Sequence, residues 1–264
     1  MQDLGITGSD WIKETGTDVE RLQDLEYGRV RLVTAVPKNT EHGSTNDILE
    51  ALWRQNKPVR ISTEYLNIAA EYVKSQPAYR KWFGKKEPLV ITPWWRRGEN
   101  PKASIYLSFG ATEAKPPEDA DIIIEVTETG TSLEQNDLRS VDTVLISTAQ
   151  LIANKNALAD PWKREKIYDV LTLLKGVVEA EKRVHIFVNV SEKNLQELLD
   201  MLPALRQPTV SQLSRKGWYA INTVLEKEQL LHLLPTFRRL AQGLVVHEPQ
   251  SVLALDEFAN GRQK

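Results

Sequence analysis

Between residues 29 and 147 one pattern recurs: an apolar run of strand length, then a segment whose apolar residues return at helical spacing. "RVRLVTAVP" (29–37), "PVRIST" (58–63), "ASIYLSFG" (103–110) and "DIIIEV" (121–126) are the strand-like runs. "NDILEALWR" sets Ile48, Leu49 and Leu52 on one side of a helix, and "TEYLNIAAEYV" does the same with Tyr65, Ile68, Ala69 and Tyr72. Alternating strands and helices predict an α/β architecture with mostly parallel sheets. "DLGITGSDWI" at the front reads as a strand, a Gly-Ser-Asp turn and a helix, and "DTVLISTAQLIAN" (142–154) as a further strand. Residues 75–104, rich in Trp, Pro, Arg and Lys, read as a long loop or a hairpin. Asp160 and Pro161 supply an N-cap and a first-turn proline for a long helix buried through Ile167, Val170, Leu171, Leu174, Val177 and Val178.

After about residue 183 the rhythm changes. "VHIFVNV" alternates, with Val184, Ile186, Val188 and Val190 on one face. "SEKNLQELLDMLPALR" is helical through Leu195, Leu198, Leu199, Leu202 and Leu205. "TVSQL" and "GWYAINTVL" form a strand pair, "KEQLLHLLPTFRRLAQ" a second helix that Pro235 is expected to kink or break, and "GLVVHE" a last strand. That order is βαββαβ, a ferredoxin-like unit. The last residues, "EFANGRQK", read as a frayed tail.

Composition narrows the function. With 34 basic and 36 acidic residues, the chain has no general drive toward nucleic acid or anionic membranes. Zero cysteines exclude thiol catalysis and Cys-ligated metals. No apolar stretch approaches the roughly 20 residues of a membrane span and no leader is visible, so a cytoplasmic protein is expected. His42, His185, His232 and His247 show no metal spacing, and no metal-ligating residues are assigned.

The strand "DIIIEV" stops in "TETGTSL", and this junction is where chemistry is expected. Ser132 and Gln135 have the spacing of a capping box that would open a helix "SLEQNDLRS". Strand end, glycine turn and helix start together point backbone N–H groups at one spot, which favours a phosphate. Gly130 permits close approach, and Thr129, Thr131 and Ser132 add hydroxyl donors. Glu125 and Glu128 would repel phosphate but suit sugar hydroxyls, so the implied ligand is a ribose 5-phosphate. A capped helix after a polar turn is the competing reading.

These residues resemble the phosphoribosyl-pyrophosphate loop of phosphoribosyltransferases. "DLGITGSDWI", "RISTEY", "GATEAKPPEDADIIIEVTETGTSL", "DTVLISTAQLIAN" and "DPWKREKI" are similar, in order, to ATP phosphoribosyltransferase of histidine biosynthesis. "PTVSQLSRKGW" resembles the regulatory domain of its long form. The resemblance runs from residue 3 to about residue 248. It implies transfer of a phosphoribosyl group from phosphoribosyl pyrophosphate to a purine ring nitrogen of ATP, with magnesium as cofactor. Histidine is implied as feedback inhibitor through an ACT-like domain, and a homo-oligomer of two to six subunits is expected.

The implied fold is a two-lobed, periplasmic-binding-protein-like catalytic region over 1–182, followed by the ferredoxin-like domain over 183–250 and a tail over 251–264. Lobe one would comprise 1–36 and 141–182 and lobe two 37–140, with crossings near Val36 and Val141. Glu125 and Glu128 are expected to stabilise the cationic ribose, with Thr127, Thr129, Gly130, Thr131, Ser132 and Leu133 completing the phosphoribosyl loop. Gly5, Thr7, Gly8, Asp10, Thr63, Glu64 and Glu113 are expected at the ATP site or cleft. Tight turns and helix capping are equally natural roles for Gly5, Gly8, Thr63 and Glu64.

Trp94, Trp95, Arg96 and Arg97 could stack on a base or hold phosphate, but packing within their loop is the favoured reading. Departures from the family pattern are Glu125 for Asp, Ser132 for Thr, Gln212 for a common proline, and the length of 75–104. Family members also carry a strand–basic loop–helix region ahead of "DLGITG". Without it, lobe one is expected to be truncated and the chain to bind phosphoribosyl pyrophosphate weakly and not turn over ATP. A two-lobed solute-binding protein and a non-catalytic regulatory paralogue are the alternatives.

Overall fold

The computed structural model describes residues 2–203, 208–253 and 255. The chain forms two compact units that divide between Ala157 and Leu158. The first runs β1 (Leu4–Gly8), α1 (Ser9–Thr15), β2 (Glu20–Asp24), β3 (Val30–Pro37), α2 (Thr45–Arg54), β4 (Val59–Thr63), α3 (Leu66–Ser75) and α4 (Pro77–Phe83). It continues through β5 (Pro88–Ile91), β6 (Arg96–Arg97), β7 (Asn100–Leu107), β8 (Ile122–Thr127), α5 (Thr131–Gln135), β9 (Leu138–Ser147) and β10 (Ala149–Ala153), and the division falls within α6 (Lys155–Ala159). The second unit holds α7 (Pro161–Glu181), β11 (Arg183–Ser191), α8 (Glu192–Met201), β12 (Thr209–Gln212), β13 (Trp218–Glu226), α9 (Lys227–Leu240) and β14 (Ala241–His247).

A seven-stranded sheet in the order β6-β5-β7-β4-β8-β3-β9 dominates the first unit. Strands β5, β7, β4 and β8 are parallel, while β3 runs antiparallel to β8 and β9. The apolar runs explain their positions, because central parallel strands are covered on both faces. Leu32, Ile61, Ile105, Ile122 and Ile124 pack in one core with Leu49 and Trp53 of α2, Ile68 and Val73 of α3 and Tyr79 of α4. Val33, Ala35, Ile123, Leu133 and Leu138 form a second core. Each large side chain buried there contributes roughly 1.5–3 kcal/mol. A smaller antiparallel sheet has the order β1-β10-β2.

Several elements differ from the sequence expectation. Residues 142–154 form two strands in two sheets, because Thr148 separates β9, paired with β3, from β10, paired with β1 and β2. The chain therefore changes sheet between Asp24 and Val30 and at Thr148, not near Val36 and Val141, which lie inside β3 and β9. An unbroken apolar run cannot reveal a change of partner. Residues 75–104 become α4, the β5–β6 hairpin and the start of β7, with Pro77 opening α4 as a first-turn proline. The helix expected over "SLEQNDLRS" is only α5. Asp137 takes φ 55°, a conformation short polar side chains tolerate, and Leu138 turns inward as the start of β9.

In the second unit an antiparallel sheet of order β12-β13-β11-β14 is backed by α8 and α9. This is the expected ferredoxin-like βαββαβ arrangement. Val184, Ile186, Val188 and Val190 face Leu198, Phe237 and Leu240 across that layer. Pro235 lies inside α9, which runs as one helix from Lys227 to Leu240. Helix α7 belongs to this second compact unit. Leu205 and most of the expected tail lie outside the described residues.

Candidate active site

Parallel strands carry their connecting loops out at the carboxyl edge, where ligands of open α/β sheets are bound. Four such exits lie side by side here: Thr92–Trp95 after β5, Ser108–Gly110 after β7, Glu64–Tyr65 after β4 and Glu128–Ser132 after β8. The sequence marked three of them as candidate sites by unrelated signals. Topology brings them to one edge.

The loop after β8 is held by its own hydroxyls. The Gly130 N–H donates to Thr127 Oγ1 at 2.9 Å, and the Thr129 and Thr131 hydroxyls share a hydrogen bond of 2.8 Å. Gly130 has φ 90°, and a Cβ added there would meet no protein atom within 4 Å. The space over this residue is therefore open, while its backbone conformation is one that L side chains rarely adopt. Gly130 itself is the residue that precedes α5, and no side chain caps the helix. The capping box expected of Ser132 and Gln135 is absent, because the helix starts one residue before Ser132. The Ser132 hydroxyl instead donates to Glu113 Oε1 at 3.2 Å. As first-turn groups, the N–H groups of Ser132 and Leu133 have no carbonyl partner within α5. The Leu133 side chain is buried in the core, which anchors the loop.

Three carboxylates gather around that loop. Glu125 sits half-buried near the end of β8 and accepts the Val126 N–H at 3.0 Å. Burial pushes its carboxyl above the usual range; the Thr112 hydroxyl and the Val126 N–H oppose this, and the Glu64 and Glu113 charges add to it. The Thr112 hydroxyl is buried and, despite its proximity, makes no hydrogen bond of ordinary geometry. Glu64 accepts the Gly110 N–H at 2.9 Å. Glu128, Thr129, Thr131 and Ser132 are exposed.

The "DLGITGSD" residues are wired differently. Gly5 and Thr7 lie in β1, paired with Ile152 and Gln150 of β10. Asp10 is buried and accepts hydrogen bonds from the Tyr65 hydroxyl at 2.9 Å and the Ser147 hydroxyl at 2.7 Å. The Asp10 N–H donates to Ser147 Oγ at 3.1 Å. A Cβ on Gly8 would stand 2.1 Å from Asp10 Oδ1, so the glycine makes room for this carboxylate. Asp10 thus joins α1 to the end of β9 and to Tyr65 at the start of α3. Thr63 is fully buried and accepts the Tyr65 N–H at 2.9 Å, a turn-closing role. Burial, with Asp10 next, pushes the Tyr65 hydroxyl far above its ordinary value.

Sequence reasoning passed over Glu14. One helical turn beyond Asp10, it is buried and accepts the Asn67 and Ile68 N–H groups at 2.9 Å each, capping α3 from a neighbouring element. The spacing of Asp10 and Glu14, four residues apart on one face of α1, was the available signal. Burial raises the Glu14 carboxyl while these N–H groups pull it down. Among the described residues no group of three or more His, Asp or Glu side chains converges as a metal site. None of the described helices is long and apolar enough to cross a membrane.

The chain matches the sequence profile described as ATP phosphoribosyltransferase over residues 1–176, and that described as HisG, C-terminal domain, over residues 180–248. It is 39% identical over 252 residues to a protein named ATP phosphoribosyltransferase from Chlorobaculum parvum, covering 93% of this chain and 75% of that protein. A protein of the same name from Chlorobium phaeovibrioides is 37% identical over 252 residues with the same coverage. One from Thermodesulfovibrio yellowstonii is 35% identical over 257 residues, covering 95% and 77%.

Proposed function

This chain belongs to the ATP phosphoribosyltransferase family, and from that premise we propose how its residues serve the reaction. The enzyme transfers the phosphoribosyl group of phosphoribosyl pyrophosphate to ATP, the first step of histidine biosynthesis. The 5-phosphate is held by the turn from Thr127 to Leu133, with the exposed Thr129, Thr131 and Ser132 hydroxyls and the first amides of α5 as donors. Glu125 and Glu128 accept hydrogen bonds from the ribose hydroxyls. As the anomeric carbon loses pyrophosphate and becomes cationic, the Glu125 carboxylate stabilises it. The observation that carries this reading is the gathering of Glu125, Glu64 and Glu113 beside an open hydroxyl-and-glycine turn. Burial makes ionised Glu125 costly in the free enzyme, and positive charge arising beside it relieves that cost. Such an interaction is stronger in the transition state than in the ground state, which is the condition for catalysis.

Magnesium is proposed to arrive on the pyrophosphate oxygens of the substrate, since it keeps few protein ligands and uses substrate phosphates. When bound it offsets the charge of the departing pyrophosphate. Glu64 and Glu113, on the carboxyl edge beside the loop, would be the acids available to hold its hydrating waters. Gly5, Thr7, Gly8 and Asp10 are read as supporting the cleft rather than touching ATP. A cytoplasmic homo-oligomer is proposed, with the βαββαβ unit from residue 183 to 248 binding histidine as feedback inhibitor.

Two measurements test this. Pyrophosphate release should require both substrates together, and release with either alone would overturn the transfer reading. Deleting residues 183–264 should abolish inhibition by histidine, and a deletion variant inhibited like the parent would move the effector site elsewhere.

A further inference from the structure

Trp94 and Phe109 are 72% and 71% exposed, yet their rings touch edge to face with centroids 5.9 Å apart. Isolated exposed aromatics are ordinary on protein surfaces, but a mutually supporting pair on a ligand-bearing edge is not explained by packing. Both stand at carboxyl ends of parallel strands, Trp94 three residues beyond Ile91 of β5 and Phe109 two beyond Leu107 of β7. The backbone under Trp94 is fixed. Thr92 Oγ1 accepts the N–H groups of Trp94 at 3.3 Å and Trp95 at 3.0 Å, and its own N–H donates to the Trp95 carbonyl at 3.0 Å. Phe109 is fixed through its neighbour, because the Gly110 N–H is held by Glu64.

We propose that Trp94 and Phe109 form the stacking platform for the purine of ATP. The proposal rests on the reading of the Thr127–Leu133 turn as the phosphoribosyl loop. Continuity along the edge carries it. From Ser132 the contacts run to Glu113, from Glu113 and Glu64 by charge to Glu125, and from Glu64 through Gly110 to Phe109 and Trp94. In the sheet β8 is two strands from β7, about 10 Å at the usual spacing of about 4.8 Å. A ribose held beside Glu125 and a purine bonding to its anomeric carbon together fill that span. Charge sets the direction in which ATP lies. Its triphosphate is repelled by Glu64, Glu113 and Glu125, while the hairpin beyond Trp94 carries Arg96 and Arg97. The purine therefore faces the acids and the phosphates face the hairpin. Any purine has a π-face, so the platform supplies affinity and position, not discrimination between bases.

Calorimetry and tryptophan fluorescence on the full chain test this. ATP should quench the fluorescence of the parent, and Trp94→Phe should lose most of the quenching while keeping ATP affinity within a few-fold. Trp94→Ala should weaken ATP about 10-fold or more, the usual loss of one stacked base, and leave phosphoribosyl pyrophosphate and inorganic tripolyphosphate affinities unchanged. Phe109→Leu should weaken ATP less than Trp94→Ala. Parental ATP affinity in Trp94→Ala, or an equal loss for tripolyphosphate, overturns the platform. So does a Trp94→Ala chain whose ATP affinity is intact and whose self-association in sedimentation is lost. Gly130→Val separates the two readings. If it loses phosphoribosyl pyrophosphate while Trp94→Ala keeps ATP, the platform alone falls; if it binds phosphoribosyl pyrophosphate like the parent while Trp94→Ala loses ATP, the loop reading alone falls.

Discussion

Two sets of acids flank the end of β4, and the protein treats them in opposite ways. Asp10 and Glu14, on α1, are buried and surrounded by donors: the Tyr65 and Ser147 hydroxyls on one, the Asn67 and Ile68 amides on the other. Glu64, Glu113 and Glu125 accept from the Gly110 N–H, the Ser132 hydroxyl and the Val126 N–H, which leaves most of their oxygen lone pairs for an outside partner. They also stand close enough for the Glu64 and Glu113 charges to raise the Glu125 carboxyl. A buried carboxylate without donors is expensive, so one whose donors come from its own chain is doing structural work. A cluster left short of protein donors, with like charges together, is the arrangement expected of a ligand-facing site, which is the role proposed for it.

The comparison is broken most sharply at Asp10. Asp10→Ala strands two buried hydroxyls and should cost about 2–4 kcal/mol of stability, read as a lower urea midpoint. An unchanged midpoint would mean the network is dispensable. Gly130→Val acts on the other set. The valine must hold φ near 90° and projects into the open space over the loop, so phosphoribosyl pyrophosphate affinity should fall about 100-fold with the fold retained. Parental affinity in calorimetry would remove this loop from the site.

Glu125→Gln should slow transfer about 10-fold or more with a much smaller effect on substrate binding. Because its folded carboxyl lies above the ordinary 4.5, only between that value and the higher folded one does the folded state hold a proton that the unfolded chain has released. Stability contributed by Glu125 is therefore present below about 4.5 and lost as pH rises through the folded value. Glu125→Gln should gain on the parent in thermal midpoint as pH increases across that window. A gap that shrinks with rising pH would reverse the assignment. The smallest effect is expected at Glu14. Glu14→Gln keeps one acceptor for the α3 amides and should cost about 1 kcal/mol, leaving substrate affinities unchanged. A change in affinity without a change in stability would place Glu14 with the ligand-facing acids.

Much of this was legible in sequence because it is local. The strand runs at 30–37, 59–63 and 122–127 were set by apolar residues in series, and the alternation in "VHIFVNV" fixed which face of β11 is buried. The positive φ at Gly130 follows from a glycine in a polar turn. The spacing from Asp10 marked the face of Glu14, but its partners were not legible, since they lie 53 and 54 residues along the chain. Nor was the short α5, because the inward pull on Leu138 comes from Val33 and Ala35 of another strand.

The sequence by itself determined the family, the α/β class, the βαββαβ unit and the residue types of the turn from Thr127 to Leu133, all of which are written in consecutive residues. Only the tertiary structure decided which strands share a sheet across Thr148, and which acids are saturated. It also brought the loops after β5, β7, β4 and β8 to one edge. The reason is that periodicity reports which face of an element is apolar, whereas strand order and the donors around a carboxylate are set by residues distant in the chain.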